Sequence, residues 1–299
     1  MRSAAPVIAV FTKNRVNPAY AGARLAADRV AARFGGRCEH YVPQLPDNVD
    51  EQIALIDQAL AARPDAFAFV PVHPTAVNDA VRKINRAGLP IVNLINRLTA
   101  GDSVCFVGSD DQALGERVAT RLFEQLGGQG IVVMLEGAPG VITGEARKRG
   151  FRAAAARFPG IAIAASAPGD FLHEPARRAT EKMLAALPRI DGILAANDVM
   201  ASGAIEALAA AGRTSLVIGV NALPEAIAAI KRGTMLATVD FDAFKLAAVA
   251  TEAALRHLRG ETVPREILLP VQIVDASNYA PWDKPIEARE CPRWEDVVG

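Results

Sequence analysis

Side chains that can bind a polar small molecule recur at the ends of short apolar segments of this sequence or within the ten residues that follow them. Amides, carboxylates and guanidinium groups each offer several hydrogen-bonding atoms, and aromatic rings can cover the apolar C–H face of a sugar ring. The residues that share these properties and positions are Lys13, Asn17, Tyr20, Asn96, Arg97, Glu145, Arg147, Phe171, Asn197, Asn221, Asp240 and Phe241. As a set they predict a site for a multiply hydroxylated small molecule.

Each of these side chains also has a purely structural alternative, which the sequence leaves open. An Asn or Asp after a strand is a common turn or N-cap residue. Arg147, in the stretch EARKRG, is equally typical of a solvated cation on a helix, and Tyr20 and Phe171 are typical of core positions. The prediction of a site therefore depends on the set and not on any single member.

The elements that must position these residues are predicted from the apolar segments themselves. The segments lie at 7–11, 66–72, 90–95, 104–108, 131–137, 161–166, 192–197, 216–221 and 235–241. They do not alternate polar with apolar residues, which is typical of strands in parallel sheets covered on both faces. Stretches with helical spacing separate them, such as 49–63 and 174–189. This alternation predicts an α/β fold with parallel sheets, in which ligands bind beyond the carboxyl ends of the strands.

Length and an internal echo indicate two domains. The chain has 299 residues, and about 150 residues per domain is a reasonable prior. Residues 60–96 and 184–221 follow the same order of helix, Pro, Asp, apolar strand, helix, Ala-Gly, apolar strand and Asn. Two similarly built α/β domains explain this internal similarity, although the sequence pattern common to all strand-helix units is an alternative explanation.

Composition argues against several classes of protein. Thirty-three basic and 33 acidic residues give a net charge of 0, which disfavours a nucleic-acid-binding protein. The sequence contains none of the nucleophile-elbow, zinc-protease, P-loop or dinucleotide-binding motifs, and its four histidines are far apart. We therefore expect no enzymatic activity, no metal and no cofactor. Three widely spaced cysteines leave the state of Cys38 and Cys291 open.

The first residues leave two cellular locations open. The only apolar run near the start, 7–11, is typical of a first strand and not of a secretory leader. Either the protein is cytoplasmic, or a leader has been removed and a start Met restored.

Several phrases, in order, resemble the ribose-binding-protein-like family of type I periplasmic solute-binding proteins. The phrases are N-P-A-Y (17–20), N-R (96–97), F-V-G-S-D-D-Q-A-L-G (106–115), L-E-G…E-A-R-K-R-G-F (135–151), A-A-N-D-V-M-A-S-G-A (195–204) and I-G-V-N (218–221). The resemblance covers about residues 6 to 275, and A-A-N-D-V-M-A-S-G-A is its most specific part.

The resemblance implies two Rossmann-like doubly wound parallel-sheet lobes joined by a three-strand hinge, with crossovers near residues 109, 241 and 272. The N-terminal lobe is expected to hold residues 1–109 and 242–272, and the C-terminal lobe residues 110–241 and 273–299, including an extended tail.

The resemblance also implies ligand contacts, which match the strand-end residues. They are Asn17, Tyr20, Asn96, Arg97, Arg147, Phe171, Asn197 and Asn221, with Asp240 or Phe241 from the third hinge strand. Ala19 replaces a stacking aromatic residue, Asn96 and Asn221 replace two aspartates, and Glu145 stands where ribose binders carry an extra arginine. The expected ligand is therefore a monosaccharide or a sugar alcohol, and these departures disfavour ribose itself.

The function implied is that of the solute-binding component of an ABC importer. Such a protein is periplasmic and monomeric, binds its sugar or polyol in the interlobe cleft, and presents it to the membrane permease by hinge closure. Two alternatives remain: the effector-binding core of a lac-repressor-type transcription regulator without its DNA-binding domain, and an enzyme acting on a small carbohydrate.

Overall fold

Residues 5–298 are described by a computed structural model, in which the chain divides into two compact units. The first unit contains residues up to 109, residues 242–269 and residues from 286 onward. The second unit contains residues 110–241 and 270–285. The chain therefore passes from one unit to the other after Ser109, Phe241, Leu269 and Pro285.

The described residues form twelve strands and ten α-helices. The strands are β1 (Val7–Phe11), β2 (Arg37–Tyr41), β3 (Ala66–Phe69), β4 (Ile91–Leu94), β5 (Cys105–Gly108), β6 (Gln129–Glu136), β7 (Gly160–Pro168), β8 (Gly192–Ala195), β9 (Leu216–Ile218), β10 (Ala237–Asp240), β11 (Glu266–Leu268) and β12 (Gln272–Asp275). The helices are α1 (Pro18–Arg33), α2 (Val49–Ala62), α3 (Asn78–Arg86), α4 (Asp111–Gln125), α5 (Ile142–Ala156), α6 (His173–Ala186), α7 (Asp198–Ala210), α8 (Pro224–Lys231), α9 (Ala243–Leu258) and α10 (Trp294–Val298). Short 3-10 helices lie at Ala280–Trp282 and Ile286–Ala288.

The first unit contains one six-stranded parallel sheet in the order β11-β5-β4-β3-β1-β2. Part of its core is built on aromatic residues of β1, β2 and β3. The ring of Phe11 lies 4.9 Å from that of Tyr41, 5.2 Å from that of Phe69 and 5.7 Å from that of Phe67, measured between centroids. Helices cover this sheet on both faces, so its central strands are buried on both sides.

The second unit contains a sheet in the order β12-β10-β9-β8-β6-β7. All neighbours are parallel except β12, which pairs antiparallel with β10 and sets Asp275 opposite Ala237. In each sheet, the first strand of the unit has the second strand on one side and the third strand on the other: β1 lies between β2 and β3, and β6 lies between β7 and β8. The order in which strands are added to the sheet therefore reverses beside β1 and beside β6. Ligand sites of open α/β sheets lie beyond the carboxyl ends of the strands at such a point.

Five helices begin at an Asn or Asp whose side chain accepts a hydrogen bond from the first turn. Asn17 caps α1, Asn48 caps α2, Asp110 caps α4, Asn197 caps α7 and Asp242 caps α9. These caps fix where the chain turns from a strand or loop into a helix.

The predicted fold class is confirmed, and every apolar segment singled out in the sequence contains a strand. The strands β2, β11 and β12 were not predicted. All three lie at a sheet edge, and their residues are partly exposed, so they lack the continuous apolar run of a strand buried on both faces.

The C-terminal tail differs from its prediction. We expected residues 273–299 to belong to the second unit, but residues from 286 onward pack with the first. Arg29 of α1 donates hydrogen bonds to the carbonyl oxygens of Glu287, at 2.6 Å, and Arg289, at 2.7 Å. Gly22 on the same helix leaves room for the side chain of Ile286, whose atoms lie 3.1 Å from where a Cβ would stand.

No helix within residues 5–298 is both long and apolar enough to cross a membrane.

Candidate functional site

The turn between β1 and α1 is held by a buried charge. The ammonium of Lys13 lies 3.1 Å from Oδ2 of Asp47, and Nδ2 of Asn14 donates to Oδ1 of the same carboxylate at 2.9 Å. Both Lys13 and Asn14 are buried, and Asp47 adopts a positive φ of 56°. Lys13 therefore stabilises the loop before α2, and a ligand role for it stays a prediction.

The start of α1 places two further predicted residues. Oδ1 of Asn17 accepts a hydrogen bond from the backbone N–H of Ala19 at 3.0 Å, so this amide is oriented by the helix cap. Tyr20 is buried in the first turn of the same helix. Both follow the carboxyl end of β1.

Two adjacent strands of the first unit end in buried polar atoms that have no hydrogen-bond partner among residues 5–298. These atoms are Oδ1 of Asn96, after β4, and Oγ of Ser109, after β5. The other end of the Asn96 amide donates to the carbonyl of Pro71 at 3.2 Å. Because a buried polar atom without a partner costs about 1–3 kcal/mol, such atoms usually mark a place that binds water or ligand.

Arg97 follows Asn96, and its guanidinium is stacked on the ring of Phe106. Its Cζ atom lies 3.8 Å from the centroid of the Phe106 ring, and its guanidinium is paired with Glu266. About half of the side chain, 49%, is exposed. The stacking on Phe106 and the ion pair with Glu266 together fix the planar guanidinium of Arg97. This donor group is next in the chain to Asn96, whose Oδ1 atom has no partner in the described chain.

The second unit has a buried guanidinium in the first half of α5. Nε of Arg147 donates to Oδ1 of Asp111 at 2.8 Å, and a terminal nitrogen donates to the carbonyl of Ala196 at 2.7 Å. Its Cζ atom lies 4.9 Å from the centroid of the Phe241 ring. Burial raises the pKa of the Asp111 carboxyl, and the attraction of Arg147 offsets this only in part.

Phe171 and Asn197 are joined directly. Nδ2 of Asn197 donates to the carbonyl of Phe171 at 3.1 Å, and Oδ1 accepts from the N–H of Met200 at 2.8 Å. Asp170 and Phe171 both have positive φ, 55° and 59°, which is costly for residues other than glycine. Strain of this kind persists where the surrounding structure requires it, and here it sets the direction of the Phe171 ring.

The ends of β9 and β10 supply Asn221, Asp240 and Phe241. Asn221 is buried and has a φ of 125°, a backbone conformation that favours glycine. Oδ2 of Asp240 accepts a hydrogen bond from Nε1 of Trp282 at 2.9 Å. Asp240 and Phe241 are both buried.

Two more acidic groups of the second unit follow other strands, Asp198 after β8 and Glu145 after β6. Asp198 accepts hydrogen bonds from the Thr238 hydroxyl at 2.6 Å and the Leu223 N–H at 2.9 Å, and burial raises its pKa to about 7. Glu145 is half-buried and shares the ammonium of Lys148 with Glu136, each at 2.9 Å. Hydrogen bonds to these two carboxylates raise the pKa of Lys148.

The sequence comparison identifies the family. The family described as periplasmic binding protein domain matches residues 8–262. The chain belongs to this family. Among curated proteins, it is 28% identical over 269 residues to the ribose import binding protein of Salmonella typhimurium, covering 89% of this chain and 90% of that protein.

Solved structures of periplasmic binding proteins share the fold over nearly the whole chain. An ABC transporter periplasmic solute binding protein from Actinobacillus succinogenes, with bound D-allose, is 33% identical with a TM-score of 0.88, covering 92% of this chain and 99% of that one. An ABC transporter solute binding protein from Bacillus halodurans, with bound myo-inositol, is 26% identical with a TM-score of 0.86, covering 93% and 97%. The predicted family and the type I periplasmic binding protein fold are thereby confirmed.

Within this periplasmic binding protein, the predicted site residues form one group in each unit. Lys13, Asn17, Tyr20, Asn96 and Arg97 stand beyond the carboxyl ends of β1 and β4 in the first unit. The group in the second unit follows β6 to β10 and consists of Glu145, Arg147, Phe171, Asn197, Asn221, Asp240 and Phe241. Their roles as ligand contacts stay predictions.

Three residues with a place in these groups were not predicted from the sequence. Ser109 and Asp111 lie inside the phrase F-V-G-S-D-D, which resembles a crossover between lobes. The phrase was therefore interpreted as a chain connection and not as a source of site residues. Trp282 lies in the tail, 42 residues from Asp240. No metal site accompanies them, since the described residues contain no group of three His, Cys, Asp or Glu side chains placed to hold an ion.

Proposed function

We propose that this protein is the solute-binding component of an ABC importer and that its ligand is a monosaccharide or sugar alcohol. The ligand contacts polar groups of both units, and the units close around it. The closed form is then recognised by the membrane permease. The protein acts as a periplasmic monomer and catalyses no reaction.

The observation that carries this proposal is the pair of unpartnered atoms at the ends of β4 and β5. Asn96 Oδ1 and Ser109 Oγ are buried without a partner in the described chain, on neighbouring strands whose register sets Leu94 opposite Val107. A ligand with several hydroxyl groups can satisfy both, because each hydroxyl both donates and accepts. An apolar ligand would leave both atoms unpaired.

The chemistry of the flanking groups favours a neutral polyhydroxylated ligand. Arg97 is neutralised by Glu266, and Arg147 by Asp111, so neither guanidinium is an isolated charge that calls for an anionic ligand. Asn96 and Asn221 provide amides, which both donate to and accept from hydroxyl groups. The D-allose and myo-inositol bound to the two structural relatives belong to the same chemical class.

Closure is supported by how the chain is divided. Each unit has its own sheet and carries its own group of predicted site residues, so a ligand that contacts both groups favours the closed arrangement by its differential binding energy. A ligand that contacts one group alone would bind without changing this equilibrium.

The first test is thermal unfolding of the purified protein with D-ribose, D-allose, myo-inositol and a panel of other pentoses, hexoses, deoxy sugars and linear sugar alcohols. A ligand at 100 times its Kd adds about 2.7 kcal/mol to the free energy of unfolding, which raises the midpoint by roughly several degrees. Absence of a shift across the whole panel would reject the proposed ligand class.

Calorimetry on two serine variants then locates the site. Ser109→Ala should weaken binding of the hit, because the hydroxyl that the ligand satisfies is removed. Ser215→Ala is the matched control, since the Ser215 hydroxyl already donates to the carbonyl of Ile190 at 2.6 Å, at the opposite end of the β9 strand. Equal affinities in the wild type and in Ser109→Ala would count against this site.

A further inference from the structure

The C-terminal tail contributes a tryptophan to the strand end that carries Asp240. Nε1 of Trp282 donates a hydrogen bond to Oδ2 of Asp240 at 2.9 Å, and the indole is 8% exposed. An indole N–H is a donor only, and its natural partner in a buried place is a strong acceptor such as a carboxylate. The contact lies wholly within the second unit.

The segment that carries Trp282 is anchored on both of its sides. Its 3-10 turn is closed by the hydrogen bond from the N–H of Trp282 to the carbonyl of Tyr279 at 2.9 Å. After the turn, Asp283 pairs with Lys231 of α8 at 2.6 Å. Before it, the side chain of Asn278 donates to the carbonyl of Ile273 in β12 at 2.9 Å. The indole is therefore held in one orientation by its own segment.

The carboxylate that it holds stands among the predicted ligand residues. Asp240 is the last residue of β10, and the next residue, Phe241, packs under the guanidinium of Arg147. The N–H of Asn221 donates to the carbonyl of Val239 at 2.8 Å, directly before Asp240. A fixed carboxylate at this place therefore stands at the carboxyl end of β10, next in the chain to the ring on which Arg147 packs and to the residue that Asn221 bonds.

We propose that Trp282 is a positioning residue for ligand binding, which it serves by fixing the carboxylate of Asp240. This inference rests on the proposed function and deepens it. The indole N–H is bonded to one carboxylate oxygen of Asp240 and thereby fixes the rotamer of the Asp240 side chain. The carboxylate can then accept a hydrogen bond from a sugar hydroxyl in one orientation only. The tail thereby takes part in selecting among sugars that differ in the configuration of that hydroxyl.

The test uses the two tryptophans of the chain as a matched pair. Trp282→Phe removes the N–H and keeps most of the apolar surface. Trp294→Phe is the control, because Trp294 packs under Arg256 in the first unit, 4.8 Å from the guanidinium carbon to the ring centroid. We expect Trp282→Phe to raise the Kd of the sugar found in the panel about tenfold, as for loss of a hydrogen bond to a charged group. Trp294→Phe should bind as the wild type does.

A double-mutant cycle separates positioning from a general structural role. If Trp282 acts through Asp240, the variant with both Trp282→Phe and Asp240→Asn should bind no more weakly than Asp240→Asn alone. Trp282→Phe should also change the ratio of affinities for two epimers, as Asp240→Asn does. Additive losses, or an unchanged Kd in Trp282→Phe while the wild type binds sugar, would overturn the inference and leave the proposed function standing.

Tryptophan emission tests the inference without a Trp282 variant. In Trp294→Phe protein, the only remaining indole is Trp282, so saturating sugar should shift its emission. An unchanged emission spectrum at saturation would contradict a link from the ligand through the Asp240 carboxylate to the indole and would overturn the inference. If the wild type binds no sugar at all, the proposed function itself fails, and this inference fails with it.

Discussion

Arg147 and Asp111 form a buried ion pair in the second unit, with Nε and a terminal nitrogen of the guanidinium each 2.8 Å from Oδ1 of the carboxylate. The two residues are 36 positions apart, one at the start of α4 and the other in the first half of α5. Because the arginine is 4% exposed, its charge depends on this carboxylate, on the carbonyl of Ala196 and on the electrostatic attraction of Asp198.

Removing the carboxylate should therefore destabilise the protein. Asp111→Ala leaves a buried guanidinium without its counter-charge, for which the expected loss is about 3–5 kcal/mol. The midpoint of urea unfolding measures it. Glu116→Gln is the control on the same helix, since the Glu116–Arg157 pair is partly exposed, at 30% and 53% of the two side chains, and exposed pairs contribute about 0–1 kcal/mol. Equal losses in the two variants would show that Arg147 finds another partner.

The buried carboxyl of Asp198 should make stability depend on pH. Its pKa is about 7 in the folded protein, against an ordinary value of 3.8, so the folded state holds a proton that the unfolded state has released between these pH values. Stability is therefore expected to fall as the pH rises from about 4 to about 7, by up to about 4 kcal/mol from this group.

Asp198→Asn isolates that contribution. The amide can accept from the Leu223 N–H and donate to the Thr238 hydroxyl, which also accepts from the N–H of Ala222, so the hydrogen bonds are kept without a titrating group. Urea unfolding at pH 5 and pH 8 should show a smaller pH difference in the variant than in the wild type. Parallel pH profiles would contradict the raised pKa.

Gly137 should be needed for the position of the Phe171 ring. A Cβ atom at Gly137 would lie 2.1 Å from Cζ of Phe171, whereas one at Gly144 would lie 3.1 Å from the same atom. Gly137→Ala should therefore displace the ring, cost about 1–3 kcal/mol of stability and weaken sugar binding. Gly144→Ala should be milder, because a shift of a few tenths of an ångström suffices and alanine favours the helix by about 0.8–1.0 kcal/mol. Calorimetric titration of both variants with the identified sugar checks the order.

Asn197 is expected to serve both the helix and the ligand, and two substitutions separate these roles. Asn197→Ala removes the N-cap of α7, which should cost about 0.5–2 kcal/mol of stability, and should weaken binding by roughly 1–3 kcal/mol. Asn197→Ser restores the cap but not the amide that holds the carbonyl of Phe171. Stability should recover in the serine variant and affinity should not. Full recovery of affinity would assign Asn197 to capping alone.

The strands were predictable where burial on both faces leaves a continuous apolar run, as in the central strands of each sheet. β2, with the sequence RCEHY, is an edge strand whose half-exposed polar residues conceal it. The unit that holds residues from 286 onward was not predictable, because it depends on Arg29 and Gly22, more than 250 positions earlier in the chain.

The candidate site was predictable as a set of strand-end residues but not as a network. Asn17 and Asn197 illustrate the limit, since each is an N-cap and a predicted ligand residue at once. The pairing of Arg147 with Asp111, and of Trp282 with Asp240, joins residues that no local pattern connects. Such partners follow only from the tertiary fold.

The division of the chain has a consequence for the order in which the protein is made. The first unit needs α9, which packs against α1 and against β3, β4 and β5, and it needs β11, which pairs with β5. Both follow residue 241, so a ribosome has synthesised the five parallel strands of the second unit before the first can be completed. A nascent chain therefore carries an unfinished first unit while the whole of β6 to β10 is made, with apolar surface that α9 has yet to cover. A stop codon just before α9 would leave the first unit without this helix, while β6 to β10 would already be present.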